Sequence, residues 1–170
     1  MTMSTKITVA APASKVWSVL FDDYMALDTW MASIDKTRPL DNAQGNPLVR
    51  IADLGAGAPG AWLEETAEDV DPSNRSMTIV TKIEGMPDGS PINGFTSKIG
   101  VNEISPDETE VTWDATSDIQ DFAMPNSEQI NTGLTAGFLR GIEELKHFVE
   151  TGEPHPRKQV AFDRLATMAA

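Results

Sequence analysis

The chain has 170 residues, enough for one domain with a core and an internal pocket but hardly for two. Thirteen Lys and Arg stand against 26 Asp and Glu, a formal charge of -13, so a phosphate backbone or an anionic membrane surface would be repelled and nucleic acid is not an expected partner. The absence of cysteine rules out disulfides, thiolate metal sites and cysteine nucleophiles together. The opening Met-Thr-Met-Ser-Thr-Lys runs into an alternating segment with no apolar signal core. No run approaches the roughly 18 apolar residues of a membrane helix. A soluble, cytoplasmic protein without membrane insertion is expected.

In chain order, Lys6–Ala10 alternates Ile7 and Val9 against Thr8 and reads as a short strand. Pro12 then suits a first helical turn and Ser14 a helix start, with Val16, Val19 and Leu20 on one face and Trp17 at its flank. Asp22–Ile34, carrying Leu27, Trp30, Met31 and Ile34, reads as a second short helix. Leu48–Asp53, Ala61–Val70, Ser76–Glu84, Phe95–Ile104 and Thr109–Ile119 read as strands, and Thr37–Leu40 is a candidate for one more. Short turn segments such as Asp71-Pro72-Ser73-Asn74 and Ser105-Pro106-Asp107 separate them, so neighbours pair antiparallel in a meander.

Ser127–Glu150 predicts a long helix, with Ser127 available as a cap and Gly152 and Pro154 ending it. Ile130, Leu134, Phe138, Ile142, Leu145, Phe148 and Val149 fall within about a third of its circumference at 100° per residue. That stripe has to be buried, and the sheet is the only large partner. The expectation is an α+β fold: a curved six- to seven-stranded antiparallel sheet around a long C-terminal helix, with two short helices after the first strand. Residues 1–152 form the domain. Residues 153–170 are read as a tail, frayed or docked on a neighbour, with Ala161, Leu165 and Met168 at helical spacing, and a homodimer is a candidate assembly.

The stretch from Ile7 to Trp17, Trp30, the glutamate-to-arginine segment from Glu65 to Arg75, Pro91-Ile92-Asn93-Gly94-Phe95 and Glu110-Val111-Thr112-Trp113 occur in an order that resembles the polyketide cyclase/dehydrase branch of the START-like, helix-grip (SRPBCC) superfamily. The resemblance spans about residues 5 to 150, with Phe95 where the branch usually has tyrosine. It implies a ligand cavity between sheet and helix. It specifies the fold better than the function, since the superfamily includes cyclases, lipid carriers and receptors.

Several residues are candidates for that cavity. Gly133, Gly137 and Gly141 recur every fourth residue along one edge of the helix's apolar arc. Each costs up to about 1 kcal/mol relative to alanine, which asks for a reason. Either their missing side chains leave room for a ligand, or the helix backbone approaches a strand or a bulky Trp. Leu134 and Phe138 share the arc. On the strands, alternation sets Val111, Trp113 and Ala115, Phe95, Ser97, Ile99 and Val101, and Met77, Ile79, Thr81 and Ile83 toward the helix. Thr81, Ser97 and Glu65, lying between Leu63 and Ala67, are polar members of inward sets. A one-residue slip would instead put Glu65 on solvent beside Glu64 and Glu68. The resemblance adds Trp30 and Trp113 as ligand contacts. Arg50 is a further candidate, its facing open because Val49 and Ile51 compete with Leu48 and Ala52. The loops Leu54–Gly60 and Gly85–Pro91, rich in Gly and Pro, are candidate gates or ordinary turns.

His147 falls opposite the apolar stripe and His155 lies between two prolines, so neither is placed as a base or a metal ligand, and no metal or cofactor is expected. Three functional classes remain. The first is a binding protein for a small hydrophobic molecule: a polyketide, an aromatic or a lipid. The second is a cofactor-free polyketide cyclase or dehydratase with Glu65 as acid/base and Ser97 or Arg50 polarising an oxygen. The third is an interaction module that uses the tail or the gate loops.

Overall fold

The alternating segments form a single sheet in the computed structural model, which describes residues 2–40, 48–86 and 91–168. Seven strands run antiparallel: β1 (Thr2–Val9), β2 (Ile34–Pro39), β3 (Val49–Leu54), β4 (Trp62–Asp71), β5 (Ser76–Glu84), β6 (Ile92–Ser105) and β7 (Glu108–Ile119). Their order is β1-β7-β6-β5-β4-β3-β2, a meander of six with β1 returning beside the last strand. The anticipated faces hold: Met77, Ile79, Thr81, Ser97, Ile99, Val101, Val111, Trp113 and Ala115 are all buried on the inner side.

Irregularities bend this sheet. The β4–β5 pairing shifts between Glu68 and Asp71, with Asp69 at φ 46°, and the hairpin closes on Asp71, whose Oδ1 accepts the N–H groups of Ser73 (3.0 Å) and Asn74 (3.1 Å). A second shift falls between Ile92 and Gly94, at the start of β6. There a Cβ on Gly94 would lie 2.0 Å from the Thr81 carbonyl oxygen, inside any permitted contact. Gly94→Ala should therefore cost at least the ~1–3 kcal/mol of an overpacked site, read as a lower urea midpoint with unchanged m. A wild-type midpoint would refute the close approach.

Between β1 and β2 the chain makes a short helix, α1 (Ala13–Trp17), entered from Pro12, then a π-helical turn (Ser18–Asp22) and a 3-10 segment (Tyr24–Thr29). The second helix is thus shorter than Asp22–Ile34. Ala26 leaves helical geometry (φ -106°, ψ 28°), and Ile34 already belongs to β2, which also extends the candidate Thr37–Leu40 strand backwards. The long helix, α2 (Ser127–Thr151), ends on Gly152 in the left-handed conformation (φ 77°). Ser127 is not its cap, because a 3-10 segment over Asp121–Asn126 runs directly into the helix. Ile142, Leu145 and Val149 are at most 1% exposed, whereas Ile130, Leu134 and Phe138 are only half-buried. Ile142, Leu145 and Val149 of α2 are packed against the rest of the fold, whereas Leu134 and Phe138 border open space.

Residues after Gly152 form a third helix, α3 (Pro156–Met168), docked on its own chain. Its anchors are polar. Arg157 Nε donates to Glu144 (2.7 Å), Lys158 Nζ to the Ile34 carbonyl (2.5 Å), and Arg164 pairs with Asp35. Lys158 has no exposed surface, and its burial pulls the ammonium pKa down against the opposing pull of Asp28 and Asp35.

The start of α3 is capped by His155, whose Nδ1 accepts the Arg157 N–H at 3.1 Å. The His155 ring meets half-buried His147 edge-on at 5.2 Å. Desolvation, then Arg157 and more weakly His147, holds the His155 pKa below its usual 6.5, with Glu144 and Glu143 opposing. The unfolded chain takes that proton more readily. The contribution of His155 is therefore complete above about pH 6.5 and is lost as the pH falls below it. Hydrogen exchange in α3, corrected for intrinsic rates, should accelerate between about pH 7.5 and 5.5 relative to that in β7. A constant ratio would refute this.

Candidate functional site

Between the curved sheet and the stretch of α2 from Gly133 to Glu144 lies a cavity of about 510 Å³. Its wall is mostly apolar: Leu63 from β4, Ile83 from β5, Phe95 from β6, Trp113 from β7, and Leu134 and Phe138 from α2. Phe138 packs edge-on against Phe95 (5.3 Å between ring centres) and tilted against Trp113 (5.7 Å), tying the helix to the sheet. Gly133, Gly137 and Arg140 line the cavity and are also exposed, so it opens to solvent along α2. The candidate gate Leu54–Gly60 contributes Leu54 and Ala58. The other contributes Met86, while its residues 87–90 lie outside the described residues.

The glycine question is decided residue by residue. A Cβ on Gly133 or Gly137 would meet nothing within 4 Å; both are exposed and border the cavity where it opens to solvent. A Cβ on Gly141 would lie 3.3 Å from Met31 Cε, a close helix contact.

Glu65 and Arg50 are directly opposed across β3 and β4, and both face inward at 6% and 5% exposure. Arg50 Nε donates to Glu65 Oε2 at 2.7 Å, and the Thr81 hydroxyl donates to Oε1 at 3.4 Å. Arg50 Nη1 donates to the Tyr24 carbonyl, and its guanidinium lies 3.9 Å above the Tyr24 ring. Tyr24 Oη donates to the Glu65 carbonyl at 3.3 Å. Burial pushes the Tyr24 phenol far above its ordinary pKa, opposed by Arg50 and reinforced by Glu65. A carboxylate and a guanidinium thus reach the wall of an apolar space as a mutually compensated pair.

Of the anticipated residues, Arg50, Glu65, Phe95, Trp113, Leu134, Gly137, Phe138 and Gly141 converge on the cavity. Trp30, Thr81 and Ser97 are buried at 3%, 2% and 1% exposure but stand off its wall. Ser97 Oγ and Trp113 Nε1 are enclosed without a hydrogen-bond partner among the described residues. Three charged wall residues were not anticipated: Arg140, Glu144 and Arg157. Glu144 follows Gly137 and Gly141 at helical spacing, a signal available in the sequence. Its Oε2 accepts the Ala32 N–H at 2.9 Å, its Oε1 the Arg157 Nε. No group of three or more His, Cys, Asp or Glu could hold a metal among the described residues, and none of their helices is long and apolar enough to cross a membrane.

An open seven-stranded antiparallel sheet gripping a long C-terminal helix, with a hollow between them, defines an α+β protein of the helix-grip class. Residues 1–150 match the family described as polyketide cyclase / dehydrase and lipid transport, and the chain belongs to that family. A START superfamily protein from Mycobacterium smegmatis superposes with a TM-score of 0.68 at 16% identity, covering 88% of this chain and 97% of that one. The Zhui aromatase/cyclase from Streptomyces sp. R1128 gives 0.66 at 16% identity, over 88% and 93%. The di-domain ARO/CYC BexL from the BE-7585A biosynthetic pathway gives 0.71 at 14% identity, over 88% of this chain and 46% of its own. At such identities the likeness is one of fold. No curated protein matches the sequence. Helix α3 lies beyond the residues that match the family.

Proposed function

We propose that this protein binds a small hydrophobic molecule, a polyketide, an aromatic or a lipid, in the cavity between the sheet and α2, and acts as a cytoplasmic binding or carrier protein. The reading rests on the largely apolar cavity, bordered by Leu63, Phe95, Trp113, Leu134 and Phe138. Gly133 and Gly137, which meet nothing within 4 Å at Cβ, lie along its open edge. The volume lies within the ~300–1,000 Å³ common to small-molecule sites.

Cyclase or dehydratase chemistry in the same cavity is the second reading, supported by Glu65 and Arg50 on its wall. Holding a flexible chain in a reactive shape can supply much of such catalysis. Glu65, however, is already engaged by Arg50 and by the Thr81 hydroxyl, and a general base would have to exchange part of that engagement for the substrate. Binding is therefore favoured. Native mass spectrometry of freshly purified protein should reveal a co-purified organic ligand, and a cavity-seeking hydrophobic dye should brighten on addition. Ligand-free protein that leaves the dye dark would overturn both readings.

A further inference from the structure

Taking the binding reading as given, the polar groups on the wall specify what kind of molecule fits. The chain has twice as many acidic as basic residues, yet among the described residues the wall carries no Asp, no Lys, two Glu and three of the six arginines in the sequence. Both glutamates are consumed internally. Glu65 is bonded by Arg50 and Thr81, and Glu144 by the Ala32 N–H and Arg157. Each carboxylate already has an arginine as its counter-ion, so an ammonium group would find no unpaired carboxylate on the wall.

Arg140 is the exception on the donor side. On α2 its neighbours at i+3 and i+4 are Glu143 and Glu144, the usual partners for an exposed helical arginine. Arg157, reaching over from α3, takes both, with Nη2 3.0 Å from Glu143 and Nε 2.7 Å from Glu144. Arg157 Nη2 also donates to the Arg140 carbonyl at 3.2 Å, which fixes the two residues side by side at the mouth. Arg140 is left exposed on the cavity rim without a salt bridge among the described residues.

We infer that the cavity selects amphipathic carboxylates, with the hydrocarbon against Phe95, Phe138 and Trp113 and the carboxylate on the Arg140 guanidinium at the rim. Guanidinium and carboxylate match in shape and charge, and the rim lets the anion keep part of its hydration. The overall negative charge does not prevent this, because exposed carboxylates beyond about 8–10 Å are screened at ordinary ionic strength. Helix α3 contributes to the selectivity through Arg157, a second positive charge set against Glu143 and Glu144 beside Arg140.

A fluorescent series on one apolar body separates the ideas: pyrenebutanoic acid, its methyl ester and pyrenebutylamine, titrated at neutral pH into wild-type protein and Arg140→Gln. The acid should bind about tenfold more tightly than the ester, as one charge-assisted hydrogen-bonded contact implies, and the amine most weakly. In Arg140→Gln the preference for the acid should collapse while ester affinity stays. Arg140 is exposed, so the variant should fold as wild type does. Equal binding of acid and ester, tight binding of the amine, or an unchanged preference in Arg140→Gln would overturn the inference and leave the cavity-binding reading standing. Failure of all three probes, together with ligand-free protein that leaves a cavity dye dark, would remove that reading and the inference with it.

Discussion

Glu65→Ala should cost this fold about 3–5 kcal/mol, the loss expected when one member of a buried ion pair is removed and the other stays charged. The orphan would be Arg50, with 5% of its surface exposed and its Nη1 and ring face committed to Tyr24. Arg50→Ala should cost a similar amount by stranding the carboxylate. The double substitution Arg50→Met/Glu65→Leu should recover most of it, since an apolar pair of similar volume avoids desolvating two charges. Urea unfolding of wild type, Arg50→Met, Glu65→Leu and the double variant closes the cycle and gives the coupling energy between the sites. Additive single losses would mean that the pair at 2.7 Å is not energetically coupled. The same double variant bears on function: a carrier should still take up a hydrophobic dye, whereas a cyclase that needs Glu65 should lose turnover.

The sheet and the long helix were legible because both follow simple periods. Ser76–Glu84 was bounded correctly by alternation with a turn at each end, and the 3.6-residue stripe of α2 ended at Gly152. Arg50 was illegible for a local reason. Val49, Arg50, Ile51 and Ala52 are all buried, so alternation carries no information in β3, and only the pairing of Arg50 with Glu65 across β4 reveals the facing. Helix α3 was hard to read because hydrophobic patterning does not report anchors such as Arg157, Lys158 and Arg164, whose partners lie on distant segments. The rim was missed with it: Arg140 looks like an ordinary exposed helix residue until Arg157 is seen to hold Glu143 and Glu144.

Gly137→Leu is expected to abolish ligand uptake while the protein remains at least as stable, a combination that separates a cavity from a core. At most core positions, enlarging a side chain forces neighbours off their rotamers and destabilises the fold. At Gly137 a Cβ meets nothing within 4 Å, and replacing a helical glycine by a better helix former contributes up to about 1 kcal/mol. Gly137→Ala should show that gain alone, with a higher urea midpoint and only weakened binding. Gly137 borders the cavity with Phe138 and Leu134, so a leucine there is expected to compete for the volume that a ligand's hydrocarbon needs. Gly141→Leu provides the contrast, since Met31 Cε already stands 3.3 Å from its Cβ position, so the larger residue has to displace Met31 and should destabilise. Loss of dye binding in a stabilised Gly137→Leu, beside a destabilised Gly141→Leu, would tie ligand volume to the glycine-bearing edge of α2. Undiminished binding in Gly137→Leu would place the ligand elsewhere.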